Sequence, residues 1–326
     1  MRNIVRNHPM LFFIFFLMIY SFTSFILIPL LLHIRPDSIP GYLIRDFGYM
    51  NIIKGFRHIP DHPILLAFFG YGFSPSLAGI TVSVLGWGKE GIVKLLRGLR
   101  PWGKGISPWK GLKVYLVILI GFLAATAILV GLHYIINAGT SSGAVNSPFI
   151  GVTLGAFVSA ILVGFFLQPA GILEEIFGFR GYALPTLLER LRNPIKASVV
   201  LGFIWFFWHL LVPFSPFLTE TSAFKDIRFW TSGLLPFMGY MLIANVFFSI
   251  VITYFWLKSG GSVWAGIVFH GLLNTIPFGL QINLGGSAFT SQKDVIYSTV
   301  EAIFAVVAAC LVIWVGRNIL GQRKNL

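Results

Sequence analysis

The stretch Phe149–Leu188, FIGVTLGAFVSAILVGFFLQPAGILEEIFGFRGYALPTLL, decides the fold of this chain. It is apolar almost throughout, as a membrane-crossing segment must be. Its 40 residues, as one straight helix, would reach about 60 Å, twice the hydrocarbon core of a bilayer. Pro169 removes a backbone donor and Gly171 follows closely, so the segment is expected to bend or break there, as one kinked helix or as two. Within it stand three charged residues, Glu174, Glu175 and Arg180.

The rest of the chain repeats the apolar pattern. Of 326 residues 56% are hydrophobic and only 11% charged, against about 25% charged in a soluble domain. So little water-facing surface makes lipid the main solvent. We read spans at Met10–Leu32, Pro63–Leu85, Val114–Leu132, Phe149–Leu188, Ala197–Leu211, Leu234–Leu257, Val263–Leu280 and Val295–Gly316. The fold expected is an all-α polytopic bundle of about eight helices. Residues 1–326 form one integral membrane domain, with a functional core at 149–280. The basic N-terminus leads into an apolar run longer than a signal-peptide core, which reads as a retained first helix. The single cysteine, Cys310, excludes an intrachain disulfide or a cysteine zinc cluster.

Charge sets the orientation. The net charge is +13, which in a soluble protein would point to nucleic acid. In a membrane protein it points instead to cytoplasmic loops and anionic lipid head groups, and no nucleic-acid partner is expected. With the N-terminus inside, the cytoplasmic pieces carry sixteen Lys and Arg against seven outside. Both termini are then cytoplasmic, and the uncharged Ile135–Ser147 loop lies outside. Lys89–Trp102 gathers Ile92, Leu95, Leu96 and Leu99 on one helical face, the pattern of an interfacial amphipathic helix or of an ordinary cytoplasmic loop.

An ionisable residue inside a bilayer costs about 2.5–3.5 kcal/mol on insertion scales and marks function by default. Besides Glu174, Glu175 and Arg180, the spans hold His209, His270 with Asn274, and Glu301. Counted from the nearest boundary basic residue (Arg190, Lys196 or Lys258), Glu175, His209 and His270 lie about 22, 20 and 18 Å along their helices. Three spans thus offer a carboxylate and two imidazoles at nearly one level. Glu174 and Glu175 are consecutive and cannot face the same way, so one enters a site while the other makes structural hydrogen bonds. Glu175 and Arg180, five apart, are about 140° apart around an ideal helix. Arg180 is therefore expected to brace Glu174 or a neighbouring helix. His270 and Asn274 share a face. Hydrolysis suits the set: a carboxylate general base for water, a His sharing that water, and an Asn for the oxyanion. The same His209, His270 and Glu175 can alternatively hold zinc or another divalent metal with an open fourth position.

Three segments carry a resemblance. Glu174-Glu175-Ile-Phe-Gly-Phe-Arg180-Gly181-Tyr182, Trp205…His209 and His270-x-x-x-Asn274, in order over Gln168–Asn274, resemble the CPBP family of membrane proteases. That family includes the type II CAAX prenyl endopeptidases and bacteriocin-immunity (Abi) proteins. Ser74–Ala78 looks more loosely like an earlier family segment. The resemblance implies an intramembrane endopeptidase cleaving near the cytoplasmic face. In it Glu and His209 activate water, His270 and Asn274 stabilise the oxyanion, and Arg180 supports them. The substrate implied is a peptide or protein, lipidated in CAAX-type processing, and the family's name implies a metal, which the motifs do not require. The family has three residues between Glu-Glu and Arg, and this chain has four, Ile176 to Phe179. Register with Arg180 makes Glu175 the catalytic carboxylate and register with the pair makes it Glu174; the match of Arg180-Gly-Tyr-Ala-Leu-Pro185 to the family favours Glu175, and a local π-bulge would absorb the extra residue. Two other readings are a non-catalytic scaffold or immunity protein and, third, a proton-coupled transporter. A prokaryotic plasma membrane is expected, or the endoplasmic reticulum for a eukaryotic chain.

Overall fold

The computed structural model describes residues 2–31, 51–138, 154–211, 235–275 and 292–320. Among them every regular element is a helix. In chain order these are α1 (Arg2–Asn7), α2 (Pro9–Leu31), α3 (Ile52–Arg57), α4 (Ile64–Trp87), α5 (Lys89–Arg97) and α6 (Pro108–Ala138). They continue as α7 (Leu154–Phe166), α8 (Pro169–Glu175), α9 (Leu184–Leu191), α10 (Pro194–His209), α11 (Leu235–Lys258), α12 (Trp264–Thr275) and α13 (Gln292–Leu320). Most of the predicted Ile135–Ser147 loop, and the span ends at Leu32, Phe149, Leu234 and Leu280, lie outside the described residues.

Local chemistry sets the helix starts. Pro9, Pro169 and Pro194 open α2, α8 and α10, where a missing N–H costs nothing. The Asn193 side chain accepts from Lys196 N, and Gln168 accepts from Gly171 N, capping α10 and α8. Gln168 itself is extended (φ −75°, ψ 121°), so the long apolar stretch does break at Pro169.

Among the described residues, six helical segments are long and apolar enough to cross a bilayer: Pro9–Leu31, Ile64–Trp87, Pro108–Ile128, Phe157–Glu175, Met238–Lys258 and Ala302–Leu320. The chain is an integral membrane protein. The other two predicted spans correspond to α10 and α12, of 16 and 12 residues. Large apolar side chains such as Leu11, Phe15, Val117, Ile120, Val307 and Trp314 are exposed around the outside, as a lipid-facing surface requires.

One end of the bundle is basic. Arg2 and Arg6 donate to Gly86 O, and Arg2 also to Trp87 O, closing the free carbonyls at the end of α4. Arg190 donates to Arg6 O and Asn7 O, and the exposed Lys94 pairs with Glu189. The strand of chain after α5 seals the start of α12: Trp264 Nε1 donates to Leu99 O, and Ser262 Oγ to Arg100 O. Helix α5 buries Leu95 and leaves Leu96 outward.

Candidate active site

The Glu-bearing helix ends at Glu175. Three residues of turn follow, then a wide π-type turn, Phe179–Ala183, in which Tyr182 N and Ala183 N both reach Gly178 O. The fourth spacer residue is absorbed by this departure from α-geometry. The consequence corrects the sequence expectation in one respect: Arg180 reaches Glu175 itself, while its guanidinium also lies over Trp205 of the neighbouring α10. Its Nη1 donates to both oxygens of Glu175, at 2.8 and 3.1 Å. An ideal helix would put residues five apart on different faces, but the widened turn restores them to one.

Glu175 and Arg180 have no solvent-exposed surface, and His270 and Glu174 almost none. His270 Nδ1 lies 3.2 Å from Glu175 Oε1 and 3.8 Å from Glu174 Oε2. Helix α12 reaches this depth because small residues line its contact face. A Cβ on Gly266 would sit 3.1 Å from Arg180 Cγ and 3.4 Å from Glu175 Oε2. A Cβ on Gly271 would lie 2.0 Å from Gly164 O. Close backbone approach of this kind is how membrane helices pack without a hydrophobic drive.

Trp205, from α10, ties the imidazoles to the cluster. Its ring stands edge-on to His270 (centroids 5.0 Å apart), lies 5.6 Å from His209, and takes the Arg180 guanidinium at 5.2 Å over its face. His209, one turn farther, is partly exposed; its Nδ1 contacts Trp205 O at 3.0 Å, which leaves Nε2 as its open edge. Asn274 sits one turn past His270 on α12, half-buried, with no hydrogen bond among the described residues. The structure therefore brings Glu174, Glu175, Arg180 and His270 together, and sets His209 beside Trp205.

The two carboxylates differ. Glu175 accepts twice from Arg180 and meets His270, so both its oxygens are engaged. Glu174 Oε2 is buried with no hydrogen-bond partner; the Trp205 indole interacts with this carboxylate but does not meet hydrogen-bond geometry. An orphaned buried oxygen is rare in a folded protein and calls for a functional explanation.

The zinc set of His209, His270 and Glu175 fits this arrangement poorly. Among the described residues, no three His, Cys, Asp or Glu side chains gather as a metal-holding group. Glu175 in particular has no free oxygen to offer.

Sequence reading noted the Ser74–Ala78 stretch but gave no role to Ser74 or Ser76, both fully buried on α4. Ser76 Oγ donates to Leu173 O and accepts from Phe177 N, while Ser74 Oγ accepts from Trp208 Nε1 at 3.1 Å. Their signal was a Ser-Pro-Ser triplet inside an apolar span.

Residues 154–276 match the family model described as Rce1-like, type II CAAX prenyl endopeptidase. A curated relative from Methanococcus maripaludis, CAAX prenyl protease 2, is 30% identical over 147 residues, 45% of this chain and 48% of its own length. The chain thus aligns with about half the length of that relative.

Proposed function

We propose that this chain, whose region 154–276 is similar to the type II CAAX prenyl endopeptidases, is a CPBP-family intramembrane endopeptidase with Glu174 as its general base. The unpartnered Oε2 of Glu174 carries the reading. Glu175, the carboxylate favoured by sequence register, is held by Arg180 and serves as the anchor that keeps Arg180 and His270 in place.

In this mechanism a water molecule hydrogen-bonds to Glu174 and to the open edge of His209. Glu174 takes one proton as the water oxygen attacks the peptide carbonyl carbon. The oxygen of the tetrahedral intermediate is met by the Asn274 amide and by His270 carrying a proton on each ring nitrogen, Nδ1–H donating to Glu175 and Nε2–H to the oxyanion. The proton on Glu174 then passes to the leaving amine as the C–N bond breaks. No step uses a metal.

The substrate proposed is a peptide or protein segment bearing a lipid near its C-terminus, drawn to the site from the bilayer. Support comes from the family description and from the relative's name. A prokaryotic plasma membrane, with cleavage near its cytoplasmic face, is the setting proposed.

The test uses purified protein in detergent with a prenylated C-terminal peptide and its unprenylated counterpart. Wild type is expected to cleave the prenylated peptide, with or without a chelator, and Glu174→Gln and His209→Ala to cleave neither. Equal cleavage by wild type and Glu174→Gln ends the assignment of Glu174, and no cleavage by wild type ends the protease reading.

A further inference from the structure

The four-residue spacer between Glu175 and Arg180 needs something to hold the backbone open, and α4 supplies it. In an unbroken helix Phe177 N would donate to Leu173 O. Here the Ser76 hydroxyl stands between them, donating to Leu173 O and accepting from Phe177 N at 3.2 Å. A side chain inserted into the i→i+4 ladder is a recognised cause of a sharp helix break. This one falls directly after the glutamate pair. Its neighbours fit the same break: Gly178 lies against Pro75, where an added Cβ would come within 2.6 Å, and Gly79 lies against Phe177 O.

The same triplet holds the histidine side. Pro75 has no N–H, which frees the Tyr71 carbonyl, and Ser74 Oγ donates to it at 2.7 Å. Ser74 also bonds Ser21 at 2.6 Å, and both hydroxyls receive Trp208 Nε1. Tyr71 stacks on Trp208 with centroids 4.3 Å apart and donates to Trp208 O. Trp208 directly precedes His209, and their rings meet at 4.7 Å. Residues 74 and 76 lie about 200° apart around α4, so one helix turn addresses the glutamate segment on one side and the His209 helix on the other.

We propose that Ser76 is a positioning residue for the glutamate pair: its inserted hydroxyl opens the helix after Glu175, lets the longer spacer loop back, and thereby sets Arg180 on Glu175 and leaves Glu174 free. The proposal rests on the protease reading for its kinetic consequence, but its structural consequence stands apart from it.

Two measurements on full-length protein test it. In the cleavage assay, Ser76→Ala restores the ordinary ladder and is expected to lower kcat by about 10²-fold, the cost of roughly 1 Å of misplacement, with KM unchanged. Ser76→Thr, which keeps the hydroxyl, regains most of that rate, and Thr253→Ala, which removes a buried hydroxyl on α11, stays at the wild-type value. A wild-type kcat in Ser76→Ala, equal losses in the alanine and threonine variants, or an equal loss in Thr253→Ala overturns the proposal. In reversible unfolding, Ser76→Ala and Arg180→Met are expected to be non-additive, because each removes the same Glu175–Arg180 geometry. Additive losses overturn it, and this arm decides the matter even for a protein that cleaves nothing.

Discussion

The region Pro169–Leu191 and the pair of helices α11 and α13 are built from similarly apolar sequence and could hardly be more different. Helices α11 and α13 run for 24 and 29 residues and pack along each other. Within them the backbone satisfies itself, and side chains such as Leu311 and Trp314 turn to lipid. Pro169–Leu191 is cut into α8, a turn, a π-type turn and α9, and at its break Leu173 O and Phe177 N find their partner on another helix. A bilayer tolerates irregular backbone only where protein surrounds it. Breaking the ladder is also what lets two adjacent carboxylates take different partners. Regular helix builds the wall; the interrupted one holds the polar cluster.

The contrast can be broken most severely at Glu174. Glu174→Gln should cut peptide cleavage by about 10²–10⁴-fold, the usual scale for a lost general base, while Ser249→Ala in α11 leaves the rate intact; steady-state kinetics on both variants decides this. Next comes stability. Arg180→Met leaves Glu175 as a buried carboxylate with only His270 beside it and should cost about 3–5 kcal/mol, read as a shift in unfolding midpoint in mixed micelles. A midpoint equal to wild type would mean the pair is not buried as described.

Glycines sharpen the comparison further. Gly271→Ala drives a methyl into Gly164 O, where backbone must move, and should cost about 1–3 kcal/mol. Gly316→Ala on α13 meets only the Tyr254 ring edge, which can rotate away, so it should cost less. Equal losses would show that α12 is packed no more tightly than the outer helices. At the small end, Lys94→Ala removes an exposed ion pair with Glu189 and should change stability by no more than about 0.5 kcal/mol.

Much of this architecture could be read from the sequence. The apolar runs, the break at Pro169 and the polar residues within spans follow from hydropathy and from proline chemistry, both local properties. Counting along helices gave Glu175 and His270 similar depths, and they lie in contact. What failed was the angular argument for Arg180. It assumed 100° per residue through Phe177 and Gly178, and the break there depends on Ser76, about a hundred positions earlier in the chain. Sequence register favoured Glu175 over Glu174, whereas the choice of Glu174 turns on which oxygens are already taken, a matter of tertiary contacts. Trp205 was visible as part of a motif, but its contact with both imidazoles and Arg180 required coordinates.

The hydrogen bonds that α1 and α2 make to α4 carry a consequence for assembly. They occur at successive heights: Arg6 to Gly86 O, Tyr20 to Thr81, and Ser21 to Ser74. Such a pair can zip into a hairpin once both segments have entered the bilayer, before later segments are synthesised. The glutamate segment would then arrive against a template already in place, with the Ser76 hydroxyl waiting to receive it.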